Sequence, residues 1–516
     1  MSASGAQAST GPAPLQGWML AAGIAVLAMA NFMAVLDMTI VNVSIPHIAG
    51  SMAVSVNEGT WAITSYSVAE AVMVPLTGWL AQRFGPVRVF TTAALGFGFC
   101  SLLCGLATTL PMLVTVRVMQ GLMGGPLMPM SQTLLLRLAP PEKRNMALGL
   151  WTMTTILGPI AGPVIGGLLS DTWGWPWAFF INVPISIICC TLALRMLSGF
   201  ETKTVKRPMD YVGLSLLILW VGALQVMLDN GENDDWFAST FIVTLAVIAF
   251  IGFLSFLAWE LTDEHPIVDL RIFRHRNFTI AAVALLFTFG SFMGSIVLIP
   301  LWLQTSMGYT ATKAGQMMAF NGMVSIVIAP IAANLIGKID PRLMMSTGLA
   351  IVAADTFWRT TFNTDIGFWG LVPAQMALGI GMPLFFIPMM TMSMAAVKPE
   401  ETASAAGLIN FLRTMAGAFA TGVIVFAWRD STAASHSGIV GSLNNAPGTL
   451  AQLHAAGQST QQALMSLDNI VQTQSVMLGT NQVFSVVAVI LACVSAGIWL
   501  MPKPKMLAKA GGGGGH

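Results

Sequence analysis

Residues 17–46 read GWMLAAGIAVLAMANFMAVLDMTIVNVSIP. The stretch is apolar almost throughout, and as a helix rising about 1.5 Å per residue it reaches roughly 40 Å, enough to cross a bilayer with some tilt. One carboxylate, Asp37, interrupts it, together with the smaller polar groups of Asn31, Thr39, Asn42 and Ser44. A charge at membrane depth costs about 2.5–3.5 kcal/mol even on the gentlest insertion scale. Asp37 must therefore face a wet cavity, pair with a cation or take up a proton, unless it simply reaches the interface. Met38, Ile40, Val41 and Val43 keep the helix apolar beyond it and favour the first set of explanations.

The rest of the chain extends the same pattern. Hydrophobic residues make up 55% of the 516 residues and charged residues only 9%, against about 25% charged in a soluble domain. An all-α integral membrane protein follows. The net charge of +1 and the lack of a basic run give no support to a nucleic-acid partner. The five cysteines all lie in apolar stretches, and Cys100 and Cys104, one helical turn apart, have neither a histidine nor a third cysteine nearby, so they read as packing residues rather than metal ligands. Residues 1–16 are small, polar and Pro-containing and read as a disordered tail, with no basic segment of a cleavable signal. Residues 502–516 form a Gly-rich tail.

Fourteen candidate spans fall near 17–44, 60–82, 87–107, 111–137, 145–169, 177–198, 209–229, 238–259, 278–303, 313–336, 342–360, 366–395, 402–428 and 477–501. With both termini cytoplasmic, only Lys313, Arg359 and Arg429 fall on the outer side, and Arg117 and Arg413 lie inside spans. Every other Lys and Arg, including Arg83, Lys203, Lys206, Arg207, Lys338 and Lys503, is cytoplasmic, as the positive-inside rule requires. The single long loop, 429–476, falls on the outer side. Its first part is turn-rich and reads as mobile; its second part, with Leu464, Leu467 and Val471 at i, i+3 and i+7, reads as an amphipathic helix. No GxxxxGK[ST] phosphate loop and no HExxH occur, and six scattered histidines offer no metal cluster. Any work the protein does must draw on an ion gradient or be passive.

Four polar constellations stand out. The turn GWLAQRFGPVR (78–88) carries Gly78 and Gly85 for a sharp helix–loop–helix reversal and Arg83 and Arg88 for the anionic cytoplasmic surface; IGKIDPR (336–342) falls at the equivalent turn of a second half. RVMQGLMGGP (117–126) places Arg117, Gly121 and Gly124 on one helical face with Gln120 beside them, and the arginine either pairs with a functional carboxylate or only ties helices together. LGPIAGPVIGGLL (157–169) repeats Gly158, Gly162 and Gly166 every four residues, a seam for close helix contact, with Pro159 and Pro163 favouring a bend and Gly167 alongside. GLINFLRTMAGAFATG (407–422) sets Arg413 and Asn410 in the first third of a span, where the arginine joins a polar core or snorkels to the surface.

Taken with GTWAITSYSVAEAVMVPLTGWLAQRFG (59–85), WAFFINVPI (177–185), WELTDEHPIVDLRIF (259–273) and GYTATKAG (308–315), these motifs resemble the drug:proton antiporters of the major facilitator superfamily, and within them the fourteen-helix, EmrB-type multidrug efflux subunits. The resemblance implies a six-helix bundle at 17–200, two inserted helices at 208–260, a second six-helix bundle at 277–501 and alternating access. It implies proton coupling at Asp37 with Arg117, to which Glu70 is added as a further titratable candidate. It implies no cofactor beyond the coupling proton, and the span-five seam as the feature associated with exporters. Candidate cavity-lining residues are Asn31, Trp61, Gln120, Asn182, Asn410 and Arg413. The chain departs from the pattern at Gln82, where the turn motif has an acidic residue, so a salt-bridged gate there is open to question. Glu70 and Asp355 are not part of the pattern and are either extra titratable sites or groups near an interface.

The expected function is proton-coupled export of diverse hydrophobic or amphipathic toxic compounds from a bacterial inner membrane, with a periplasmic membrane-fusion adaptor and an outer-membrane channel as partners. A dedicated exporter of fatty acids or another lipophilic metabolite is the alternative. A membrane-embedded lipid-acting enzyme is the least supported, since no nucleophile–base pair stands out.

Overall fold

A computed structural model describes residues 15–202, 204–205, 208–232, 234–442 and 446–502. The expected N-terminal tail up to residue 14, the Gly-rich tail from residue 503, and Lys203, Lys206, Arg207 and Lys503 lie outside the described residues. Leaving aside single-turn segments, the chain runs through α1 (Gly17–Met52), α2 (Trp61–Met73), α3 (Thr77–Phe84), α4 (Pro86–Gly105), α5 (Leu110–Gly124), α6 (Leu127–Leu138), α7 (Arg144–Thr172), α8 (Asn182–Leu197), α9 (Tyr211–Asn230), α10 (Thr240–Thr262), α11 (Arg276–Thr305), α12 (Ala311–Leu335), α13 (Pro341–Arg359), α14 (Phe368–Ala395), α15 (Thr402–Ser442), α16 (Ala446–Ala455) and α17 (Thr460–Gly497). Among the described residues there is no strand, only one isolated bridge, Ile336 to Ile339.

Among the described residues, eleven helices are long and apolar enough to cross a membrane. The other three expected spans have identifiable reasons for standing apart. Residues 61–84 are split into α2 and α3, and residues 110–138 into α5 and α6. In α13 the 19 residues carry Arg342, Asp355 and Arg359.

The helix contacts repeat. In the first half α1 packs on α7, α2 on α5 and α4 on α8; in the second half α11 packs on α15, α12 on α14 and α13 on α17. First meets fifth, second meets fourth and third meets sixth in both. The cytoplasmic turns repeat as well. Gly85 and Gly337 both have φ near +90°, a conformation only glycine adopts readily, and each is followed by a helix opening on proline, Pro86 or Pro341. At the second turn Asp340 accepts the Arg342 N–H at 3.0 Å. At the first turn Glu201, well over 100 residues downstream, accepts the Val87 N–H at 3.3 Å and the Arg88 N–H at 3.1 Å. The acidic group that the sequence lacks at Gln82 is thus supplied to this turn from the end of the first half.

The inserted pair α9 and α10 packs together, with α9 against α2 and α15. The outer stretch 429–476 corrects the sequence reading. It is not a loop with a mobile first part: α15 continues without a break to Ser442, and α17 begins at Thr460. At 41 and 38 residues these helices are about 60 Å long, roughly twice the hydrocarbon thickness, so they form a hairpin standing well beyond the membrane. Gly479 makes this possible, since a Cβ there would come within 2.8 Å of the Thr432 backbone N. Trp428 Nε1 donates to Thr480 Oγ1 at 2.9 Å across the same contact, and Arg429 pairs with Glu232 of the α9–α10 connection.

Candidate functional site

The first-half site is assembled by helices that approach closely because glycine lets them. On α5, a Cβ at Gly121 would lie 2.5 Å from the Tyr66 carbonyl O, and one at Gly124 2.7 Å from Tyr66 Oη, so α5 beds onto α2. On α7, a Cβ at Gly158 would meet Val35 at 2.4 Å, at Gly162 Thr39 Oγ1 at 2.0 Å, and at Gly166 the Ile40 carbonyl at 2.8 Å. The glycine seam therefore faces α1 on either side of Asp37. Pro159 is buried and Pro163 exposed, and a Cβ at Gly167 would meet only Val43, at 3.9 Å.

At the junction, Asp37 and Arg117 are both fully buried and form an ion pair, Nη1 to Oδ2, at 2.6 Å. Asp37 Oδ1 accepts from Asn182 Nδ2 at 2.8 Å and from Gln120 Nε2 at 3.2 Å. Arg117 donates through Nε to the Ala62 carbonyl at 2.8 Å and through Nη1 to Gln120 Oε1 at 2.8 Å. Its guanidinium lies 4.1 Å from the Tyr66 ring centroid and 5.6 Å from that of Phe179, within range for attraction to the ring faces. A second layer holds the first: Asn182 Nδ2 also reaches Ser101 Oγ at 3.2 Å, Ser101 donates to the Phe179 carbonyl at 2.9 Å, and Cys104 Sγ contacts Gln120 Oε1 at 3.3 Å. One carboxylate thus joins α1, α5 and α8. Its lone pairs are used by three side-chain donors, the arrangement that makes a buried charge tolerable.

Sequence reasoning placed Gln120 and Asn182 in a substrate cavity; the structure brings both onto Asp37. Asn31 is buried and bonds Thr154 Oγ1 at 2.7 Å, Thr155 Oγ1 at 2.8 Å and the Trp151 carbonyl at 3.3 Å, tying α1 to α7. Trp61 is 39% exposed at the start of α2 and stands apart from the other candidates. Asn410 and Arg413 face the first half: Asn410 Nδ2 donates to Gln132 Oε1 at 3.1 Å, and Arg413 Nη2 points at the Met128 thioether. Glu70 is buried on α2 in the electrostatic field of Arg413. Ser101 and Phe179 carried no sequence signal, because each acts through one oxygen whose direction only packing sets.

The turn motif closes the cytoplasmic side. A Cβ at Gly78 would come within 2.8 Å of Ser404 Cα, and one at Gly407 within 3.1 Å of the Val74 carbonyl, so α3 and its approach from α2 lie directly on α15 of the second half. Arg83 lies 5.2 Å from the Trp79 ring centroid, and Arg88 is exposed.

The second half holds a different pair. Asp355 and Arg359, one turn apart on α13, are buried and pair at 2.8 Å, with Arg359 Nη2 also donating to the Ala374 carbonyl at 2.9 Å. Beside them lies a small cavity lined by Arg359, Trp302, Gln375, Met317, Phe362 and Phe484.

This architecture of paired six-helix repeats around a buried intramembrane ion pair defines a multi-pass membrane transporter. The Major Facilitator Superfamily matches residues 27–421. The chain is 40% identical over 508 residues to the multidrug export protein EmrB of Escherichia coli K12, covering 98% of this chain and 99% of that one. It is 41% identical over 507 residues to the fatty acid resistance protein FarB of Neisseria gonorrhoeae, again covering 98% and 99%. The solved structure of the proton:xylose symporter XylE superposes with a TM-score of 0.60 at 11% identity, over 94% of this chain and 96% of that one, a likeness of fold alone. The chain belongs to the major facilitator superfamily, a family of transporters and not of enzymes. Within that family it is an EmrB-type transporter.

Proposed function

We propose that this protein is a proton-coupled antiporter that exports diverse hydrophobic or amphipathic toxic compounds across a bacterial inner membrane, with all fourteen segments crossing. The observation that carries the reading is Asp37, a buried carboxylate held by donors from two other helices beside a glycine seam. Protonation of Asp37 removes the charge that Arg117, Gln120 and Asn182 all address. The hold between α1, α5 and α8 then weakens, while the seam allows α7 to move with α1. Loss of the proton restores it. The coupling proton is the only cofactor required. The 35 Met and 28 Phe of the chain suit a lining that re-packs around unlike ligands. The similarity to EmrB supports a broad substrate range; the similarity to FarB keeps export of fatty acids or another lipophilic metabolite as the second reading.

The test is purified protein in vesicles with an imposed pH gradient, screened with fatty acids and with unrelated lipophilic compounds for substrate-dependent proton release. Release with unrelated compounds supports the broad reading; release with fatty acids alone selects the second. A periplasmic membrane-fusion adaptor, and through it an outer-membrane channel, are the proposed partners, with the α15–α17 hairpin as a docking element. Replacing residues 432–474 by a short Gly/Ser linker is expected to abolish adaptor co-purification and to spare transport in adaptor-free vesicles. Co-purification at the wild-type level would place the contact elsewhere.

A further inference from the structure

Two charged side chains at the centre of the molecule lack the partners that their burial calls for. Glu70, on α2 of the first half, and Arg413, on α15 of the second, are both almost fully buried. Glu70 Oε2 and Arg413 Nη1 have no hydrogen-bond partner among the described residues, and the ion pairs among those residues do not include them. Arg413 gives Nη2 to the Met128 thioether, a weak acceptor, and its guanidinium lies 5.7 Å from the Phe289 ring centroid. The helices that carry them, α2 and α15, are in contact across the two halves. The surroundings are already a contact between halves, where Asn410 reaches Gln132 and Gln132 Nε2 reaches Met390 Sδ at 2.7 Å.

The contrast with Asp37, on α1 of the same half, is chemical. Asp37 has an ion pair and two amide donors, so it is accommodated as a charge. A buried carboxylate without such partners costs several kcal/mol, so the arrangement around Glu70 suits its neutral form, while Arg413 stands ready for the charged one. The closure lies further along the same span and on the same α15: Val74 and Gly78, just past α2 and on α3, lie about one and two turns beyond Glu70, and Gly407 and Ser404 lie roughly two turns before Arg413.

We propose that Glu70 is a second proton-carrying group and that Arg413 is its counter-charge across the two halves. When Glu70 Oε2 holds the proton, the pair is apart, as in this structure. When the proton leaves to water, the carboxylate pairs with Arg413 and draws α2 and α15 together, tightening the Gly78–Ser404 contact between α3, which follows α2, and α15. Arg413 is then a positioning residue for the coupling step. The other charged or titratable groups acting on Glu70 are Asp37 on α1, Arg117 on α5 and Tyr66 on its own helix; Asp229 on α9 meets α2 further along, at Thr64. Resting on the proton-coupled reading above, this assignment makes Glu70 and Asp37 separate proton sites, one between the halves and one within a half.

The experiment measures protons released on substrate addition to purified protein, and the pH profile of transport in vesicles, for wild type, Glu70→Gln, Arg413→Gln and Arg413→Lys. Removing one of two linked carboxylates in Glu70→Gln is expected to cut proton release by about half. Arg413→Gln removes the cation that favours ionised Glu70, so the midpoint of the transport profile moves to higher pH by on the order of one unit; Arg413→Lys keeps the charge and leaves the midpoint near wild type. Wild-type proton release from Glu70→Gln overturns the assignment, as does an Arg413→Gln profile that superimposes on wild type. If Arg413→Gln does not fold, the release from Glu70→Gln decides alone. Wild-type protein that releases no proton with any transported substrate overturns the antiport reading itself, and this assignment with it. Release retained in wild type and lost from Asp37→Asn, but unchanged in Glu70→Gln, overturns this assignment only.

Discussion

The two halves each bury an ion pair, and the pairs are built for different purposes. In the first half, Asp37 and Arg117 come from α1 and α5, with Asn182 of α8 on the same carboxylate. In the second half, Asp355 and Arg359 belong to one helix, four residues apart. A pair that joins helices changes how they fit together when it gains or loses a proton. A pair within one helix changes little beyond that helix, because its two ends already move as one body. The repeated fold therefore carries an ion pair between helices in one half and an ion pair within one helix in the other.

The sharpest way to break this contrast is Asp37→Asn. An amide cannot cycle a proton, so gradient-driven transport in vesicles should fall to background while the protein still inserts and retains some substrate binding. Full drug-stimulated proton flux in that variant would remove Asp37 from the mechanism. Next comes Gly162→Leu, which places a branched side chain where even a Cβ would lie 2.0 Å from Thr39 Oγ1. Separation of α7 from α1 should reduce transport at least tenfold with normal membrane insertion. A well-expressed, fully active protein would mean that the seam does not need to close.

Asp355→Asn tests the other side of the comparison. It leaves Arg359 with its bond to the Ala374 carbonyl, so transport should stay within about twofold of wild type, while thermal stability falls by up to about 3 kcal/mol for a broken buried pair. Loss of coupling equal to that of Asp37→Asn would make the halves functionally alike.

The smallest effect is expected at the cytoplasmic surface. Partial burial pushes the Glu401 carboxyl up, but the Lys398 N–H, His275 and Arg274 outweigh it and hold Glu401 below the usual carboxylate range. A depressed carboxylate contributes stability that is present above its unfolded value and lost as pH falls through the folded one. Arg274 is half exposed, so Glu401→Gln should cost less than about 1 kcal/mol near neutral pH, and the difference from wild type should vanish as pH falls through the lowered Glu401 value, beneath the usual carboxylate range of about 4.3. Melting curves across pH check both the size and the sign.

The sequence by itself determined the membrane class, the two-half repeat and the residues of greatest chemical cost. An intramembrane Asp or Arg must be explained wherever it lies, so Asp37, Arg117, Glu70 and Arg413 were legible from position alone. The glycine seam was legible too, because only close contact gives a four-residue glycine repeat a purpose. The helical hairpin was only half legible. Leu464, Leu467 and Val471 showed the start of α17, but Ser, Thr and Gly between 430 and 442 masked a helix that is held by α17 through Gly479 and Trp428 rather than by its own propensity. Tertiary structure alone decided that Gln120 and Asn182 turn to Asp37, that Asn31 braces α1 to α7, and that Glu201 serves the turn at Gly85. The reason is the same in each case. An amide or carboxylate at a given position has several directions in which to spend its hydrogen bonds, and which one it takes depends on neighbours brought there from 80 to 145 residues away.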